Sequence, residues 1–191
     1  MVKKVHFNHL IIFFLPPENF DKKIVDATVK TFGMDCVVMI SDPALNNINL
    51  LLKNQEKMAQ IVSKNNISAI FTSFESKGNC AYFINILDMA EVAGIVQQIS
   101  AKAPNIFQQL PWFIMYPDPG KGVPELGIKI KFNSNINLLQ PLGDTYIVHE
   151  LYALGDKTIL NKIGIFQGGI LEIENLDKLS RRRDLQGITI R

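Results

Sequence analysis

The side chains best placed to do chemistry are Asp42 and Asp88, each just past an apolar run that reads as a strand. Open α/β sheets gather ligand groups at the carboxyl ends of their strands. A small polar molecule held by this chain would therefore sit near these two carboxylates, although helix capping and turn formation are simpler roles for both. The three histidines give no metal set. His6 and His9 precede an apolar run with no nearby carboxylate as third ligand, and His149 beside Glu150 reads as an exposed pair on alternate faces of a strand. Cys36 and Cys80 flank apolar runs, which are packing positions rather than the helix N-termini that activate thiols. Two cysteines make neither a zinc site nor a disulfide scaffold, but an extracellular chain could join them in one bridge. Asn66-Ile67-Ser68 is an acceptor triplet for N-glycosylation, at a helix-to-strand turn.

Other chemistry is missing from the pattern. There is no Gly-x-Ser-x-Gly elbow. The turn after the first apolar strand, Ser41-Asp42-Pro43-Ala44-Leu45, has no glycines to cradle a phosphate, and Gly120-Lys121 lacks the upstream glycine and the following hydroxyl of a phosphate loop. The reading is a protein that is not an enzyme and needs no cofactor. Arg181-Arg182-Arg183, the one charge cluster, reads as a solvated connector, because three consecutive residues cannot all face one partner.

The elements that would position these residues alternate in type. A helix is predicted over about Phe20–Thr31, stopped by Gly33. Val37–Ile40 is a continuous apolar run suited to a strand buried on both faces. A helix over Ile48–Ser63 and a strand over Ile67–Phe74 follow, then a strand over Tyr82–Leu87. Asp88 caps the next helix, Met89–Lys102, with Glu91 completing a capping-box-like pair and Val92, Ile95, Val96 and Ile99 at helical spacing. Trp112–Tyr116 is the last strand of this series, with Trp112 in the core. Such alternation predicts an α/β fold with a doubly wound, mostly parallel sheet flanked by helices. Beyond the breaker-rich loop Pro117–Gly122 comes a strand-rich tail: Asn135–Leu139, Thr145–Leu154 and Ile159–Phe166, with turns at Gly143-Asp144, Gly155-Asp156 and Gly168-Gly169.

Composition agrees with one sizeable core. The chain has 191 residues, 47% hydrophobic and 20% charged, with a formal net charge of +2. Such a balance offers no basic stripe for nucleic acid, and no run approaches the roughly 20 apolar residues of a membrane span. Residues 1–17 form an apolar segment, either a buried strand or a residual signal sequence. At the other end, Ile188 and Ile190 alternate with Thr189 and Arg191, so the chain stops in mid-strand. An unpaired half strand is a poor place for a domain to stop, so a missing downstream domain is expected.

Three stretches in order resemble the N-terminal extracellular region of the chemosensory ionotropic receptors, the variant ionotropic glutamate receptors of insects and other arthropods. They are Thr145-Tyr146-Ile147-Val148-His149-Glu150-Leu151-Tyr152; Lys162-Ile163-Gly164-Ile165-Phe166 with Gly168-Gly169-Ile170-Leu171, where Phe166 replaces the usual Trp; and Arg181-Arg182-Arg183-Asp184-Leu185-Gln186-Gly187-Ile188-Thr189-Ile190-Arg191. The resemblance implies a reduced periplasmic-binding-protein-like amino-terminal domain over 18–174. Residues 175–191 would be the connector and first strand of a truncated ligand-binding domain. It implies an extracellular piece of a ligand-gated cation channel subunit at the cell membrane, reaching the membrane only through its downstream part. The implied partners are co-receptor subunits of the same family in a hetero-oligomer, paired through an apolar helix face (Ile48–Ser63 or Met89–Lys102). The ligand-gripping and pore residues of that family lie beyond Arg191, so none maps onto this chain. Oxidising surroundings would let Cys36 and Cys80 pair, contributing about 3–4 kcal/mol through chain entropy, and would make Asn66 a glycan site. The alternative is a soluble α/β module that binds a small molecule near Asp42 and Asp88.

Overall fold

The structure is a computed structural model and describes residues 22–41, 58–68, 79–86, 88–117, 124–174, 177–178 and 182. Its elements in chain order are α1 (Lys22–Thr31), β1 (Cys36–Ser41), β2 (Met58–Ser63), β3 (Cys80–Asn85), α2 (Met89–Lys102), α3 (Ile106–Gln109), β4 (Trp112–Met115), β5 (Ile136–Leu142), β6 (Thr145–Leu154), β7 (Lys157–Gln167) and β8 (Ile170–Ile173). The strands form one sheet in the order β2-β1-β3-β4-β5-β6-β7-β8. Neighbours from β2 through β5 run parallel, and β5 through β8 run antiparallel.

The central strands follow from continuous apolar sequence. Every residue of β1, β3 and β4 is buried, as parallel strands between two layers must be. Alternate side chains feed opposite faces. Val38, Ile40, Tyr82, Ile84, Trp112 and Ile114 pack with Val92, Ile95, Val96 and Ile99 of α2. On the other face Val37, Met39, Phe83 and Phe113 pack with Ile24 and Val25 of α1. Helices on both faces and the order 2-1-3-4-5 make the parallel half doubly wound, with its switch point between β1 and β3. The strand-rich tail extends the sheet: β6, β7 and β8 are added by short turns, the last of them Gly168-Gly169 with both φ positive, at 61 and 85.

Three expectations are corrected. The helix predicted over Ile48–Ser63 does not reach Ser63: residues 48–57 lie outside the described ones, and Met58–Ser63 is β2, pairing in parallel with β1 along its whole length. A short apolar run satisfies either period, and here β1 supplies the backbone partners. Ile67 and Ser68, predicted to open a strand, instead leave β2 through a turn; residues 69–74 lie outside the described ones. The apolar stripe of α2, a predicted pairing face, is covered by its own sheet. The apolar segment 1–17 and the half strand at 188–191 also lie outside the described residues.

Candidate functional site: a buried arginine anchor

Arg182 is the departure of most consequence. Expected in a solvated connector, it is 1% exposed, and so is the Glu150 carboxylate it meets. The local chain explains how it gets there. The Arg182 N–H donates to the Lys178 carbonyl at 3.3 Å, which brings these two residues together. Both then grip the turn ahead of β5. Lys178 Nζ donates to the Asn133 carbonyl at 2.9 Å, Arg182 Nη2 to the Ser134 carbonyl at 3.0 Å, and Arg182 Nη1 to the Phe132 carbonyl. Three successive carbonyls are thus held by two cations.

That turn is itself rigidly placed. The Lys131 N–H donates to Ser134 Oγ and the Ser134 N–H to the Lys131 carbonyl. Lys131 Nζ reaches Asn105 Oδ1, and the Ala153 N–H ties the turn to β6.

Glu150 comes from β6 in phase with Tyr146 and Val148, which face the interior. Arg182 Nε and Nη2 both donate to its Oε2, at 3.2 and 3.1 Å, while Asn161 Nδ2, directly across on β7, donates to Oε1 at 3.3 Å. The guanidinium lies over the Tyr152 ring, with Cζ 4.5 Å from its centroid, and Phe132 stands edge-on to Tyr152. Burying this guanidinium is tolerable only because charge, hydrogen bonds and ring faces all meet it together. Arg182 and Glu150 depress and raise the Tyr152 pKa in opposite senses; burial is the largest influence, and the net shift is upward. With both Glu150 oxygens engaged, the cluster is a clamp on the segment after β8.

The residues singled out in the sequence are scattered. Asp88 caps α2, its Oδ1 accepting from the Ala90 N–H at 2.8 Å. Glu91 does not reach back as in a capping box; it pairs with Lys64 at 2.8 Å. Asp42, His6, His9 and Gly120-Lys121 lie outside the described residues. His149 and Glu150 are not an exposed pair: Glu150 is buried, and His149 is half-buried with Nε2 2.9 Å from Gln140 Oε1. Cys36 and Cys80 are opposite one another in the β1–β3 register, with Cα atoms 4.4 Å apart and sulfurs joined. Asn66 is exposed just past β2.

The anchor carried one signal that sequence reasoning missed. Glu150 occupies an inward phase of an alternating strand, and a carboxylate there requires a buried cation. Among the described residues no cluster of His, Cys, Asp and Glu could hold a metal ion, and no helix is long and apolar enough to cross a membrane. No protein-family model matches the chain, and no curated protein matches it.

Proposed function

We propose that this chain is the extracellular amino-terminal region of a chemosensory ionotropic receptor subunit, a reduced periplasmic-binding-protein-like lobe that assembles with co-receptor subunits and modulates gating. The observation that carries the reading is the burial of Arg182. A free linker has no need of a guanidinium held by a carboxylate, two carbonyls and two aromatic rings. A segment that must pass force from this domain to a downstream one does need such a hold. The Cys36–Cys80 bridge suits the oxidising exterior. The test is to sequence the transcript past Arg191. Continuation into a ligand-binding half, three membrane helices and a second half is the expected result; an immediate stop codon overturns the channel.

A second reading, a soluble module binding a small polar molecule, has its own support in the β1–β3 switch point, where doubly wound sheets hold ligands. The buried polar residues Ser41 and Asn85 end those two strands, opposite each other. Thermal stabilisation of the purified chain by a small polar metabolite, lost in Asn85→Leu, would favour it.

A further inference from the structure

We infer that Asn66 carries an N-linked glycan; this rests on the extracellular reading above. Asn66-Ile67-Ser68 is the chain's one Asn-x-Ser/Thr triplet, and the fold presents it for modification. β2 ends at Ser63, and the Asn66 N–H closes the following turn on the Ser63 carbonyl at 2.8 Å. Ile67 points inward, buried in the core cluster beneath α2, while Asn66 and Ser68 on either side are exposed. The buried middle residue therefore fixes the two reactive residues outward. Ser68 Oγ donates to Asn66 Oδ1 at 2.8 Å, which holds the side-chain amide in place beside the hydroxyl, and among the described residues Asn66 Nδ2 makes no hydrogen bond.

The donor is a lipid-linked oligosaccharide pyrophosphate. Asn66 Nδ2 forms a bond to the anomeric carbon, the carbon–oxygen bond to the pyrophosphate breaks with its electron pair going to oxygen, the lipid pyrophosphate departs as the anion, and the amide releases one proton to water. The same lumen that holds this donor would also oxidise Cys36 and Cys80. Position gives the glycan a physical use. β2 is the outermost of the described strands on its side of the sheet, and open edges invite pairing with other chains. A bulky hydrophilic group at the end of β2 obstructs that pairing.

The test is to express the chain behind a cleavable secretory leader in cultured eukaryotic cells. The expected product is secreted and disulfide-bonded, with one step of electrophoretic mobility that peptide-N-glycosidase removes. Asn66→Gln and Ser68→Ala should abolish the step and Ser68→Thr should retain it. A secreted, disulfide-bonded chain without a glycan overturns the inference and leaves the receptor reading standing. A chain that reaches the lumen yet keeps free thiols and is not secreted overturns the extracellular reading, and the inference with it.

Discussion

Arg182 shows how a charge run can mislead. Local composition makes three arginines look solvated, yet one of them supplies the cation that Glu150 requires. Burial of an ion was decided by partners from β6, β7 and the turn ahead of β5, and no local window contains those. Removing one partner strands the other. Arg182→Met should therefore cost about 3–5 kcal/mol, whereas Arg182→Met combined with Glu150→Leu should recover part of that loss, because no charge is then left buried alone while the Phe132 and Ser134 carbonyls and the Asn161 amide still lose their partners. Urea unfolding of the two single variants and the double measures this; additive losses would mean the pair is not coupled. His149 ties the stability of the fold to pH. Burial first, and then the Lys162 ammonium across β7, hold its pKa below the ordinary value of 6.5. The unfolded chain thus binds this proton at higher pH than the folded one. The stabilisation is complete above about pH 6.5 and is lost as the pH falls below it. His149→Gln should flatten the fall in melting temperature between about pH 7 and pH 5. An unchanged pH profile would show that His149 does not set it.

Elements were legible wherever one period was unambiguous. α2 spans the predicted residues and buries the four predicted side chains, because Val92, Ile95, Val96 and Ile99 fit only a helix. β1, β3 and β4 were visible as continuous apolar runs. β2 was not, because its apolar residues continue a helix-like pattern upstream and its true partner lies a long way back in sequence, on β1. β8 was hidden for another reason: it is a short edge strand whose role is to complete a hairpin. Gly164 shows what that hairpin demands. A Cβ there would run into the Glu172 carbonyl and the Ile173 side chain. Gly164→Ala should then force β7 and β8 apart and destabilise by about 1–3 kcal/mol. Gly94 is the control, since a Cβ at that helical position meets nothing within 4 Å. Gly94→Ala should stabilise by about 0.5–1 kcal/mol. Thermal denaturation should move in opposite directions for the two, and movement in the same direction would contradict the close β7–β8 approach.

Among the described residues two devices brace different halves of one sheet. The bridge between Cys36 and Cys80 ties β1 to β3 in the parallel half, closing a loop of sequence separation 44. The Arg182 clamp ties the C-terminal segment to β6 in the antiparallel half. β4 and β5 join the halves through a parallel pairing. A bridge that acts on the unfolded chain changes global stability without altering the distant clamp, whereas loss of Glu150 opens the clamp locally. Replacing both cysteines by alanine should lower stability by about 3–4 kcal/mol. At temperatures where that variant remains folded, tryptic cleavage after Arg182 should be as slow as in the parent chain. Glu150→Ala should do the reverse, speeding that cleavage with the disulfide intact, because a guanidinium without its carboxylate leaves the interior. Limited proteolysis followed by peptide mass measurement distinguishes the two. Faster cleavage after Arg182 in the cysteine variant would mean that the halves loosen together, and the clamp would then report global opening instead of holding its segment on its own. Independent behaviour is what the proposed role demands, since a connector can transmit force only while its attachment outlasts fluctuations elsewhere in the domain.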